Sequence, residues 1–158
     1  MNAVIDRETL MAEGAHKDDL RLWLRLLTCT TLIETTIRSR LRERFGVTLP
    51  RFDLMAQLQK IPAGLTLGEL SRRLMVTNGN VTGLVERLVA AGEVERAPHP
   101  TDGRATIVRL TAAGRASFAA MARAHEGWVA ALFADVPPAD RAVLMEMLGR
   151  LKRSVRAA

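Results

Sequence analysis

Few residues in this chain are spaced for covalent chemistry. Its three histidines, His16, His99 and His125, lie far apart, and Cys29 is the single cysteine. There is no glycine-rich phosphate loop and no metal-ligand spacing, so neither a catalytic site nor a metal site is expected. Recognition chemistry is better represented. Thr77, Asn78, Gly79, Asn80, Thr82, Gly83 and Arg87 fall within eleven positions. Asn pairs with adenine N6 and N7, and Arg with guanine O6 and N7 or with phosphate. Glycines allow a helix backbone to approach a partner closely, at a cost in helix stability. Upstream, Ser71, Arg72 and Arg73 are candidate phosphate contacts, which position without specifying. Downstream, His99, Thr101, Asp102, Gly103 and Arg104 form a polar stretch. Arg104 suits the negative potential of a narrow minor groove. Asp102 repels phosphate and is expected to orient an arginine and shape a turn.

These residues need elements to hold them. Residues 1–16 are polar and irregular, a loose arm or short helix. From Asp18 to Phe45 apolar residues recur at helical spacing (Leu20, Trp23, Leu24, Leu27, Ile33, Ile37, Leu41, Phe45), and Gly46 ends the run. Thr48-Leu49-Pro50 opens a second helix with Phe52, Met55 and Leu58 on its apolar face, stopped by Pro62 to Gly64. Thr66 with Glu69 three positions on is a capping-box pattern for a short helix, Leu67 to Leu74. After Met75-Val76, residues Thr77 to Asn80 suit a turn and an N-cap for a helix from about Asn80 to Ala91, with Val81, Leu84, Val85 and Leu88 inward and Gly92 as its left-handed cap. Glu93 to Arg96 and Thr106 to Leu110 then alternate as strands around the turn-rich Pro98 to Gly103, which predicts a β-hairpin. Thr111 caps a helix running through Phe118, Met121 and Trp128 to about Phe133. Pro137-Pro138 begins the last, with Val143, Leu144, Met147, Leu148 and Leu151 apolar.

Two short helices, a tight turn and a hairpin predict a winged helix-turn-helix within a mainly α chain. The second helix of such a unit fits the major groove of B-DNA, and the hairpin reaches an adjacent minor groove. The chain has 158 residues and a formal net charge of +6, with a pI near 10.9. That length buries a core without disulfides or metals. The basic balance favours polyanionic partners. The excess, however, lies in Arg38, Arg40, Arg42 and Arg44 and near Arg150, Lys152, Arg153 and Arg156, while residues 66–111 are nearly balanced. Low aromatic content, 4% with no Tyr, argues against a stacking platform for single strands. There is no apolar run of bilayer length and no secretory pattern at the start, so no membrane association is expected. The lone thiol fits a reducing cytoplasm.

Several segments resemble one family. Asp102-Gly103-Arg104-Ala105-Thr106-Ile107-Val108-Arg109-Leu110-Thr111 is similar to the wing signature of the multiple antibiotic resistance regulator (MarR) family. Leu67 to Leu74 resembles that family's helix before the turn, Thr77 to Arg87 its recognition helix, and Ala91 to Arg96 the lead into the wing. The resemblance implies a transcription regulator, not an enzyme, working as a homodimer on pseudo-palindromic double-stranded operator DNA, with recognition helices about 34 Å apart. It implies an arm and dimerisation helix over 1–47, a DNA-binding lobe over 48–111 and dimerisation helices over 112–158, intertwined in one unit. Arg104 would enter the minor groove, braced by Asp102. Gly79 departs from the polar residue many relatives carry, which leaves the operator sequence open.

The resemblance also implies a repressor released by a small effector bound between the DNA-binding lobe and the dimerisation helices. The chain is similar to the subset that senses aromatic acids or their coenzyme A thioesters; no other cofactor is expected. Trp23, Cys29, Thr30, Arg38, Arg40, Phe52 and Met55 are the candidate pocket residues. The Thr-rich run from Thr28 to Thr36 forms helix poorly. It has a plainer reading, with methyls in the core and hydroxyls bonded to the helix backbone. Cys29 is expected as a buried, inert thiol, with redox sensing as the alternative. A helical adaptor that binds protein partners is the other rival.

Overall fold

Residues 17–157 are described in a computed structural model. The elements, in order, are α1 (Lys17–Phe45), α2 (Leu49–Lys60), β1 (Leu65–Thr66), α3 (Leu67–Leu74), α4 (Asn78–Ala90), β2 (Val94–Pro98), β3 (Thr106–Leu110), α5 (Ala112–Leu132) and α6 (Pro138–Ala157). The chain divides after Ala122 into two compact units. The arm expected over residues 1–16, and His16 with it, lie outside the described residues.

In the first unit, helix termination and strand pairing follow local chemistry. The Thr66 hydroxyl accepts from the Glu69 main-chain N–H at 3.3 Å, and the Glu69 carboxylate accepts from the Thr66 N–H at 2.8 Å. This is the expected capping box, and it starts α3. β2 and β3 pair antiparallel from Val94 opposite Leu110 to Pro98 opposite Thr106. A third strand was not anticipated: β1 pairs with the other edge of β3, Leu65 opposite Val108 and Thr66 opposite Ile107. Gly64 allows that approach. It has φ +101°, and a Cβ there would lie 3.0 Å from both the Val108 carbonyl oxygen and Ile107 Cδ1.

Leu54, Met55, Leu58, Leu70, Val81, Val85, Leu88 and Val108 are fully buried and form the core against which α3, α4 and the sheet are set. Each contributes about 1.5–3 kcal/mol by leaving water. Leu84, expected inward, is only half-buried. A polar junction lies behind the sheet. Arg51 on α2 pairs with Glu93 at 2.5 Å, and the Ser117 hydroxyl donates to the same carboxylate at 3.0 Å. Thr111 donates its main-chain N–H to the Glu93 carbonyl at 3.0 Å and its hydroxyl to the Gly92 carbonyl at 2.7 Å. The Thr111 hydroxyl also accepts from the Gly114 N–H at 3.0 Å, so Thr111 caps α5 as expected. Gly114 sits so close that a Cβ would fall 1.9 Å from the Glu93 carbonyl oxygen.

Helix α1 buries only part of its apolar stripe within the chain. Only Leu24, Ile37 and Leu41 are buried, while Leu20, Trp23 and Leu27 are exposed, Trp23 at 57%. Helical spacing of apolar residues identifies a face without saying what covers it. The Thr hydroxyls follow the plainer reading in part. Thr30, Thr31 and Thr36 donate to the carbonyls of Leu26, Leu27 and Leu32 at 2.8–2.9 Å. The methyls of Thr30 and Thr31 are nevertheless not in the core, because both residues are exposed. In the second unit, α6 carries no buried side chain.

Candidate nucleic-acid interface

The turn between α3 and α4 sets the angle at which α4 is presented. Met75 adopts the left-handed conformation, φ 55° and ψ 39°, a conformation that costs a residue with a Cβ about 1–2 kcal/mol. Ser71 closes the turn from both sides. Its carbonyl accepts the N–H groups of Met75 and Val76, the latter at 3.2 Å, and its hydroxyl donates to the Val76 carbonyl at 2.5 Å. The Ser71 hydroxyl proton is thus committed inside the fold. Thr77 is the N-cap residue, and its side chain makes no capping bond. α4 begins at Asn78, two residues before its expected start.

Val81, Val85 and Leu88 anchor α4, and its opposite side is open. Asn78, Gly79, Asn80 and Arg87 are exposed, and Thr82 and Gly83 are half-buried. The Thr82 hydroxyl donates to the Asn78 carbonyl at 2.9 Å, which leaves its oxygen as an acceptor only. Arg72 and Arg73 are exposed at the end of α3. The Glu69 carboxyl is held below its ordinary value first by the Thr66 main-chain N–H, then by the Thr66 hydroxyl, with smaller contributions from Arg72 and Arg73.

The wing tip is a hydrogen-bonded turn. The His99 N–H donates to the Ala105 carbonyl and the Ala105 N–H to the Asp102 carbonyl, each at 3.0 Å. His99 Nδ1 lies 3.3 Å from the Thr101 N–H and 3.2 Å from the Asp102 N–H. Asp102 shapes the turn by accepting the Arg104 main-chain N–H at 3.0 Å. It does not brace the Arg104 guanidinium: no ion pair joins the two among the described residues. Arg104 and Thr101 are exposed. At the base of the hairpin, Arg109 pairs with Glu95 across the strands at 2.6 Å.

The residues expected to line an effector pocket are not brought together as one. Phe52 and Met55 are core, 6% and 0% exposed, with the Phe52 ring 5.4 Å from that of Phe118. Their helical spacing is equally that of a packed face, and packing is what they do. Trp23, Cys29, Thr30 and Arg38 are exposed on α1, Arg40 is half-buried, and Arg38 lies 3.7 Å from Glu34. Cys29 is therefore not the buried thiol expected. A cleft of about 430 Å³ opens elsewhere, between the start of α2 and α4, lined among others by Pro50, Asp53, Leu74, Val76, Leu84 and Arg87. The sequence carried no local signal for it, because its walls come from three separated segments. Among the described residues no group of three or more His, Cys, Asp or Glu could hold a metal ion. No helix among them is long and apolar enough to cross a membrane.

Comparison with known proteins agrees with this geometry. Residues 45–105 match the model of the MarR family. BadR, a transcriptional activatory protein of Rhodopseudomonas palustris, is 33% identical over 97 residues, covering 60% of this chain and 55% of its own; the chain thus spans little more than half of that relative's length. Sco3205 of Streptomyces coelicolor, a MarR family regulator solved in complex with DNA, has a TM-score of 0.77 over 91% of both chains. At 22% identity that likeness is one of fold. A MarR family transcriptional regulator from Silicibacter pomeroyi is 34% identical, with a TM-score of 0.76 over 91% of this chain and 99% of that one. With the capped α3, the turn, the open α4 and the hairpin all in place, this near end-to-end match settles the family: the chain belongs to the MarR family of transcriptional regulators.

Proposed function

We propose that the chain reads double-stranded operator DNA as a homodimer in the bacterial cytoplasm and regulates transcription in response to a small aromatic effector. The observation that carries DNA reading is α4, anchored by Val81, Val85 and Leu88 while Asn78, Asn80 and Arg87 stand in solvent. Asn and Arg at the start and side of a groove-sized helix match the donor and acceptor pattern of base edges. Arg104, exposed at a hydrogen-bonded hairpin tip, is presented for the minor groove. Support for a second copy comes from α6, a 20-residue helix with no buried side chain and with Val143, Leu144, Met147, Leu148 and Leu151 exposed.

Selection of bound fragments from random duplex DNA tests the reading. The expected result is a pseudo-palindrome with half-sites about one helical turn apart. Binding should weaken steeply with salt as counterions leave the duplex. Failure to enrich any motif, or binding to a protein partner with little salt dependence, would favour the adaptor instead.

For the effector, the cleft beside α4 has apolar walls in Leu74, Val76 and Leu84 and a guanidinium in Arg87. That chemistry suits an aromatic carboxylate; a coenzyme A thioester would keep its nucleotide portion outside a volume of this size. Benzoate should weaken operator binding by the wild type and not by Leu84→Trp, which fills the cleft; equal sensitivity of both moves the effector elsewhere. Release by effector describes a repressor. A reporter whose expression falls on loss of the chain would give it the activating sense named for BadR.

A further inference from the structure

His99 stands out among the residues of the wing because its ring is used inside the fold. Two main-chain N–H groups, of Thr101 at 3.3 Å and Asp102 at 3.2 Å, converge on Nδ1, with the Thr101 hydroxyl also at 3.3 Å. A main-chain N–H can only donate, so Nδ1 must carry a lone pair and the imidazole proton must sit on Nε2. Asp102, oriented by this contact through its own N–H, in turn accepts the N–H of Arg104 at 3.0 Å. The ring nitrogen is thus one link from the main chain of the arginine at the tip.

Resting on the DNA-binding reading above, we infer that His99 is a positioning residue for Arg104, and that proton uptake at Nδ1 releases the wing tip and weakens operator binding. A protonated Nδ1 would present a third N–H to two donors, and the turn would lose its acceptor. The charged groups of the hairpin itself are Arg96 on β2, Asp102 and Arg104 at the tip, and Glu95 and Arg109 paired at the base. The sign of the effect is distinctive. A histidine that merely lay near phosphate would bind DNA more tightly when charged.

The test has two arms. In the free protein, amide resonances of Thr101 and Asp102 are followed from about pH 8 to about pH 5.5, the range of imidazole titration. They should move in step with the His99 ring, and stay in place in His99→Asn, whose side-chain oxygen accepts the same N–H groups without titrating. Operator affinity at fixed salt should fall roughly fivefold over the same range in the wild type, and hold in His99→Asn. His99→Ala should be weak at both ends. Amides that ignore the ring titration overturn the inference, as does wild-type affinity that rises or holds on acidification, or an equal loss in His99→Asn. If no duplex is bound at any pH, the DNA-binding reading fails and the amide arm alone decides the role of His99.

Discussion

Ser71 shows how a residue type misleads and its geometry corrects. A serine next to Arg72 and Arg73 at the end of a short helix reads as a phosphate contact, yet its hydroxyl proton goes to the Val76 carbonyl. It holds together a turn that contains an exposed methionine in the left-handed region. Ser71→Ala should lower stability by about 1 kcal/mol. It should also reduce operator affinity without changing the slope of affinity against salt, because no phosphate contact is removed. A shallower salt slope in the variant would return Ser71 to the phosphate set. Denaturant unfolding and a salt series of binding isotherms measure both. Thr77 stands at the N-cap of α4 within the stretch expected to hold a cap, and its side chain makes no capping bond. Such differences arise because short polar side chains have local backbone partners and external ones of similar strength, and spacing alone does not rank them.

At the scale of elements, the signals that could be read were the local ones. Thr66 and Glu69 lie three residues apart and close their own box; Thr111 caps the helix that follows it. The strand β1 could not be read, because Leu65 meets Val108 more than forty positions away and a two-residue strand has no period. Phe52 and Met55 gave a clear helical face, but a face turned to a core and one turned to a cavity have the same spacing. The capping box has a pH signature. The folded Glu69 carboxyl titrates below its unfolded counterpart, so its stabilisation is complete above the ordinary glutamate range. It is lost as pH falls through the folded value. Glu69→Gln should flatten that part of the stability–pH curve, and thermal melts across the acid range would reveal it. Thr66→Ala should cost about 1 kcal/mol at neutral pH. Gly114→Ala should cost about 2 kcal/mol or more, because the obstacle is a backbone carbonyl and α5 must move to clear it. A neutral effect in chemical denaturation would mean that the junction around Glu93 yields easily.

The whole molecule leaves a large apolar surface in water. Leu20, Trp23 and Leu27 on α1 are exposed, and α6 carries no buried residue, with Leu148 and Leu151 about two-fifths accessible. Amphipathic spacing made both helices recognisable in the sequence; the copy proposed to cover them lies outside a single chain. Replacing Leu148 and Leu151 together with Asp should give a monomer by sedimentation and abolish binding to a two-half-site operator. A dimer that survives the pair would put the contact on other residues. The apparent melting temperature of the wild type should rise with protein concentration, as it does when folding and association are linked.

The two-residue strand beside β3 has a mechanical meaning. Leu65 and Thr66 run directly into α3, while β3 is the returning arm of the ribbon that ends in the Arg104 tip. The helix pair and the ribbon are therefore riveted to one plate, with Gly64 giving the clearance for the rivet. A tool built this way has a fixed gauge. On the proposed reading, in which α4 and the Arg104 tip enter neighbouring grooves, duplexes whose grooves are widened or squeezed would have to be bent to fit it, and flexibility of the flanking base steps would become part of what is selected.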